Sequence, residues 1–229
     1  MAGRRPTPRR LGRRVAVVLL GVVAGFYAIV ICCLVMLRSV PPLTTAVQIE
    51  RRIAAWAHRR PYRKSYAFVP LSQISPNLQH AVIAAEDARF YKHHGFDWTE
   101  VQVAMKEDLE AGKHRGASTI TQQLVKNLFL GDSRSFVRKG IEFTIVPLAE
   151  GILSKQRILE LYLNVIEFGQ GIYGVEAASE RYYKLPARKL NRDQAVGLAE
   201  VLPAPLRRKP GRLPAYGASI EVRMSQLNW

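Results

Sequence analysis

The sequence predicts an all-α domain carried behind a single N-terminal membrane-spanning helix. Three observations predict it. Val15 to Leu37 runs 23 residues without a charge. Beyond that run, apolar side chains recur at helical spacing between recognisable helix caps. No later stretch shows a sustained two-residue alternation, an internal repeat or a low-complexity tract.

At about 1.5 Å per residue, the uncharged run makes a helix of about 34 Å, enough to cross a hydrocarbon core of roughly 30 Å. A signal peptide has a shorter apolar core and a small-residue exit, and Leu34-Val-Met-Leu-Arg38 is a poor exit of that kind. Arg4, Arg5, Arg9, Arg10, Arg13 and Arg14 precede the span and only Arg38 follows closely. That asymmetry places residues 1–14 in the cytoplasm, 15–37 in the membrane and the rest outside.

Both cysteines, Cys32 and Cys33, fall in the span, so the exported part has neither an internal disulfide nor a cysteine-ligated metal. Seven of the 34 basic residues and none of the 18 acidic ones lie at or before Arg38, leaving the exported part net positive by nine. A basic surface beside a membrane points to an anionic partner: lipid phosphates, a pyrophosphate-bearing substrate or a polyanionic wall polymer. Nucleic acid fits the charge but not the compartment, and no nucleic-acid-binding motif is present.

Residues 38–70 read as a juxtamembrane segment. Pro41-Pro42 ends the first helix. Thr44 to Arg60 is amphipathic, with Ile49, Ile53 and Trp56 in step among Arg51, Arg52, Arg59 and Arg60. It either packs on the core or lies on the outer leaflet. The main domain is expected over 71–229. Ser75-Pro76 opens a helix whose buried face carries Leu78, Val82, Glu86 and Phe90. Asp97 with Glu100 and Phe96 with Val101 cap and staple the next, which Gly112 stops.

Gly116 to Asn127, GASTITQQLVKN, gives an apolar stripe of Ile120, Leu124 and Leu128 beside a polar one of Thr119, Gln122, Gln123 and Lys126. Neutral donors and acceptors with one cation suit a sugar and a phosphate. In the following helix Arg134, Arg138 and Glu142 recur every fourth residue. They form either a salt-bridge ladder on a wet face or, with Lys126, a pyrophosphate clamp. Ser154 opens another helix. GQGIYG, residues 169–174, then makes a tight or flexible loop, lacking the strand and the Gly-Lys-Ser ending of a phosphate loop. Asn191 with Gln194 caps a last helix before Pro203-Ala-Pro205.

Within AAEDARFYKHHG, residues 84–95, Glu86 stands out. Its carboxylate lies on an apolar face, where loss of water disfavours the charge and raises the pKa toward that of a useful base. Asp87 is turned away from that face. A Glu-Asp pair is more often a solvated helix edge, and it is the downstream polar segments that favour chemistry.

These segments, in this order, resemble glycosyltransferase family 51, the peptidoglycan glycosyltransferases. EDARFYKHHG matches ED-x-x-F-x-x-H-x-G, GASTITQQLVKN matches G-x-STITQQ-x-x-KN and RKGIE matches RK-x-x-E; SKQRILELYLN and GQGIYGVEAASERYY match two later motifs. The likeness covers roughly residues 71–210. With no transpeptidase domain following, it is to the monofunctional members.

The resemblance implies a lysozyme-like helical fold that polymerises lipid II into glycan strands at the outer, periplasmic face of the cytoplasmic (inner) membrane. It implies Glu86 as general base and Glu142 as a second carboxylate at the donor side. Lys126, Arg134 and Arg138 would hold the donor pyrophosphate. Ser118, Thr119, Gln122 and Gln123 would line the cleft, with Asp87 and Phe90 shaping the Glu86 pocket. His93 is expected to pack and hydrogen-bond.

A divalent cation, Mg or Mn, bridging the pyrophosphate is compatible with this picture, and no dedicated ligand cluster is visible. Expected partners are lipid II, the growing strand, membrane lipids and other cell-wall synthesis or division proteins. Ile141 stands where many members carry a second lysine, and the basic tail after Pro205 matches only loosely, so it is given no catalytic role. Two rival readings are a lysozyme-like hydrolase and a non-enzymatic wall-binding scaffold.

Overall fold

The uncharged run folds as α1, Pro8–Leu37, in a computed structural model that describes residues 8–111, 116–133 and 135–229. Most of its length is exposed, as a lipid-facing helix must be, with Leu20 70% and Ile29 66% accessible. Its last two turns differ. Val30, Leu34 and Leu37, one face at spacings of four and three, are buried against α6, Phe136–Ile152. The Arg157 guanidinium Nε donates to the Leu37 carbonyl at 2.7 Å, placing a cation on the negative end of α1. The membrane anchor is therefore fastened to the domain it carries.

Thr45 caps α2, Ala46–Ala57, by accepting from the Gln48 N–H. The segment expected as a juxtamembrane connection is packed into the folded unit. One face of α2 lies on the wide helical turn at Lys126–Leu130, and strand β1, Ser65–Tyr66, joins a small sheet. Ile49, Ile53 and Trp56 remain exposed at 47%, 58% and 81%, so they are not core residues.

α3, Pro76–Glu86, begins where Ser75-Pro76 predicted. The Ser75 hydroxyl does not cap it; it donates to the Leu190 carbonyl at 2.8 Å. The helix also stops sooner than the apolar pattern suggested. Asp87 leaves the helical conformation at φ −163°, and Phe90 enters the core from a separate short turn, Phe90–Lys92. α4, Trp98–Ala111, is capped by Asp97, which accepts from the Glu100 N–H at 3.0 Å; Gly112 lies outside the described residues.

α5, Ile120–Val125, runs into the wide turn at Lys126–Leu130. α6 and α7, Lys155–Val165, follow, and α7 is the hub: Ile158, Leu159, Leu161, Tyr162 and Leu163 are fully buried. The glycine-rich loop is a hairpin, β2 at Glu167–Gly169 with antiparallel β3 at Ile172–Tyr173; β1 pairs parallel on the other edge of β3. Strands of two or three residues are too short to show an alternation. Gly171 and Gly174 have φ of 74° and 81°, and a Cβ at either would collide with the carbonyl of Arg63 or Asn164.

α8, Val175–Tyr183, and α9, Arg192–Ala199, complete the body, α9 carrying the full Asn191–Gln194 capping box. The loosely matching tail forms α10, Pro214–Gln226, packed on α3 and α9 through Ile220 and Met224. Trp229 stacks on His80 with ring centroids 4.3 Å apart. The fold is thus mostly helical, as expected.

Candidate active site

A cleft of about 780 Å³ opens between α5, the wide turn after it, the start of α6 and the 202–207 strip. Glu86 lies on its floor. As the last residue of α3 it is ringed by protein yet still reached by solvent through the cleft. Desolvation pushes its pKa above the ordinary carboxylate range; the Asp87 charge adds to this, while the Gln123 hydrogen bond and the Arg208 and Arg223 charges oppose it. A carboxylate so placed is a better proton acceptor than a solvated one.

Its immediate partner is Gln123, whose Nε2 donates to Glu86 Oε2 at 2.7 Å. Tyr162 in turn donates its hydroxyl to Gln123 Oε1 at 2.8 Å, which turns the amide so that its NH2 faces the carboxylate. From behind, Arg223 donates to the carbonyls of Ala84 and Ala85 at 3.1 and 3.3 Å. These are end-of-helix carbonyls without helical partners, so α10 fixes the turn from which Glu86 projects.

The other end of the cleft is charged. Arg138 on α6 bonds Glu142 Oε2 at 2.7 Å and its Nε donates to the Ser133 carbonyl at 2.7 Å; Lys139 takes the second Glu142 oxygen. Glu142 is only 2% exposed. Both of its oxygens are thus held by cations, which fixes the positions of Arg138 and Lys139. Lys126, in the wide turn, bonds Asp132 Oδ1 at 3.0 Å. A turn of this kind rotates side chains out of helical register and is frequent at functional sites. The i, i+4 pairing of Arg138 with Glu142 is present, and both line the cleft together with Lys126.

Ser118, Gln122, Gln123, Lys126, Arg138, Glu86 and Glu142 all line the cleft. Arg134 lies outside the described residues. Three expected contact residues do not reach it. Asp87 is buried, accepting at one oxygen from the Ile120 N–H (3.0 Å) and bonded at the other to His93 Nε2 (2.8 Å), because the chain leaves helical geometry there and turns Asp87 under α5. Phe90 is fully buried in the core behind Glu86. Thr119 accepts from the Gln122 N–H and donates to the Gly95 carbonyl at 2.6 Å, leaving its hydroxyl committed. All three support the site from behind. His93 is buried and hydrogen-bonded, as expected.

Sequence reasoning missed Arg51, Asp132, Lys139, Tyr162, Glu167 and the Leu202–Arg207 strip, which also line the cleft. Lys139 had a signal, standing next to Arg138 in the quoted motif. The Thr119-x-x-Gln122 spacing was likewise a readable capping box. Tyr162 and Glu167 gave none.

The residues do not fit a resident divalent cation. Asp87, His93 and Asp97 form the one close group of ligand types among the described residues, but it lies behind the cleft, with Asp87 fully bonded, Asp97 paired to Arg89 at 3.5 Å and capping α4. Each carboxylate in the cationic half of the cleft already faces a lysine or arginine.

Residues 51–226 match the family model described as Transglycosylase. The chain is 43% identical over 219 residues to the biosynthetic peptidoglycan transglycosylase of Pseudomonas entomophila, covering 94% of this chain and 91% of that one. Proteins of the same name from Ectopseudomonas mendocina and Mannheimia succiniciproducens are each 44% identical, over 83% and 82% of this chain and 81% and 77% of theirs. The match runs from the middle of α2 through the cleft to the end of α10, so the chain belongs to the transglycosylase family, whose domain is lysozyme-like.

Proposed function

We propose that this peptidoglycan glycosyltransferase of cell-wall synthesis polymerises lipid II with inversion at the anomeric carbon. Glu86 takes the proton from the 4-hydroxyl of the acceptor N-acetylglucosamine. The freed oxygen attacks the anomeric carbon of the donor N-acetylmuramic acid, the bond to undecaprenyl pyrophosphate breaks, and an α linkage becomes β. One displacement needs no covalent glycosyl-enzyme, as in inverting glycosidases.

Lys126 and Arg138, joined by Lys139 and Arg134, offset the charge that grows on the departing pyrophosphate. Glu142 holds Arg138 and Lys139 in place. Ser118, Gln122 and Gln123 contact the sugar and phosphate portions. The apolar faces left exposed on α2 (Ile53, Trp56) and α6 (Phe136, Val137, at 98% and 74%) meet membrane lipids beside α1, with the arginine-rich arm in the cytoplasm and the domain on the outer side.

The observation that carries this reading is the pairing of a desolvated carboxylate with a cationic end in one cleft. A hydrolase acting on a neutral glycosidic bond has no use for the second half. The test supplies purified protein with labelled lipid II and digests the product with a muramidase. Muramidase-sensitive polymer with stoichiometric undecaprenyl pyrophosphate supports the reading; shortening of preformed glycan with lipid II intact would replace it by a hydrolase, and turnover of neither by a scaffold.

A further inference from the structure

Among the described residues that line the cleft, five are cationic and four are carboxylates. Before substrate arrives, charge is therefore nearly balanced, and Arg51, Lys126, Arg138 and Lys139 are paired with carboxylates. An incoming anion that draws on these four must take them from a carboxylate already holding them.

Asp132 is the carboxylate arranged to give way. Its Oδ1 is 3.0 Å from Lys126 Nζ and its Oδ2 is 3.0 Å from an Arg51 terminal nitrogen, so its two oxygens bridge two cations as two phosphate oxygens would. Its side chain is 41% exposed, whereas Glu142 and Glu167 are sealed in at 2% and 6%. The backbone is anchored separately: the Asp132 N–H donates to Glu50 at 2.6 Å, so the carboxyl can swing while the loop stays. Desolvation would raise the Asp132 pKa, but Lys126 and Arg51 outweigh it and hold the group below its ordinary value, as a competing anion.

Arg51 is held from its other side. Its Nε donates to Glu167 Oε2 at 3.1 Å, and the Glu167 side chain is buried. A buried carboxylate gripping the Nε fixes the guanidinium plane and turns its terminal nitrogens toward the cleft. On α2, Arg51 lies away from the exposed face of Ile49, Ile53 and Trp56, so it stands between that face and the cleft.

We propose that Arg51 is a further cation of the subsite that receives the lipid-linked pyrophosphate, and that Asp132 is the internal anion this pyrophosphate displaces from Arg51 and Lys126. The inference rests on the transferase reading. It differs from a purely mechanical role, in which Arg51 only staples α2 to the body.

The test uses the full chain in detergent: wild type, Arg51→Ala, Arg51→Lys and Asp132→Asn. It reads KM for lipid II, inhibition by geranyl pyrophosphate against geranyl monophosphate, and melting temperature. Arg51→Ala is expected to raise KM roughly tenfold or more, the scale of one lost charge-assisted contact. Arg51→Lys, which keeps the charge and loses the fork, should fall between. Asp132→Asn should tighten inhibition by the pyrophosphate several-fold (an order-of-magnitude expectation for a lost charged competitor) and leave the monophosphate less affected.

Unchanged KM and inhibition in Arg51→Ala, with only a lower melting temperature, would make Arg51 a staple and overturn the proposal. Unchanged or weaker inhibition of Asp132→Asn would remove the displaced anion. If Arg51→Ala does not fold, Arg51→Lys and Asp132→Asn decide the matter. A wild type that does not elongate lipid II would sink the transferase reading and this one together, whereas an active wild type with indifferent variants sinks this one alone.

Discussion

Replacing Tyr162 by phenylalanine removes one oxygen and leaves the ring packing of α7 intact. That oxygen fixes Gln123: with Tyr162 donating to Oε1, the amide NH2 is turned to Glu86. Gln123 donation favours the ionised carboxylate and opposes the desolvation that raises its pKa. Without Tyr162 the amide is free to flip, and part of that support is lost.

A neutral hydrogen bond contributes about 0.5–1.5 kcal/mol net, and one pKa unit corresponds to about 1.4 kcal/mol. The Glu86 pKa should therefore rise by up to about one unit. A general base must be deprotonated, so the acidic limb of kcat/KM for lipid II polymerisation should move to higher pH by that amount. Initial rates across the acidic to neutral range would show it, with the alkaline limb as internal reference. A uniform loss of rate with the limb unmoved, or a limb displaced to lower pH, would refute the Tyr162–Gln123–Glu86 relay.

Three other outcomes follow from the same contacts. Glu86 has a folded-state pKa raised by burial, so it favours the folded state at acid pH and that contribution is lost as pH rises through the folded value. Glu86→Gln should accordingly melt higher than wild type at neutral pH, with the gap closing on acidification; a variant that melts lower at neutral pH would contradict the desolvated carboxylate. Thr119→Val, which deletes a cap and a bond to Gly95, should cost about 1–2 kcal/mol of stability, while Ser118→Ala in the cleft should leave melting unchanged and raise KM. Arg223→Ala frees the carbonyls of Ala84 and Ala85 and should lower kcat along with melting temperature by a few degrees, whereas lysine, keeping one donor, should restore part of both.

What the sequence made legible was mostly local. The Asn191–Gln194 box and the Ser154 cap depend on residues three apart, and Pro76 in the first turn marks the start of α3, so local chemistry decides them. Burial of Glu86 was legible because one helical face reports what its neighbours pack against. The end of that helix was not: Asp87 prefers two distant partners, His93 and the Ile120 N–H, over another helical turn. Tyr162 was hidden because its hydroxyl meets a glutamine 39 residues upstream, while its own position on α7 reads as ordinary core packing among Ile158, Leu159, Leu161 and Leu163. Arg51 was hidden for the opposite reason. In an amphipathic arginine-rich helix it looked solvated, and only the return of the chain at Asp132 and Glu167 shows what it faces. The tail lacked motif signal, yet α10 buttresses α3 and the Leu202–Arg207 strip walls the cleft.

The central claim is that one desolvated carboxylate at the cleft floor takes the acceptor proton. The measurement that meets it directly is a lipid II polymerisation gel comparing wild type with Glu86→Gln, the variant first shown to be folded and to bind lipid II as wild type does. The account predicts polymer from the wild type and loss of at least about a thousandfold in rate from the variant, the scale of general-base catalysis joined to its positioning. Polymer formed by folded Glu86→Gln at near the wild-type rate would contradict it.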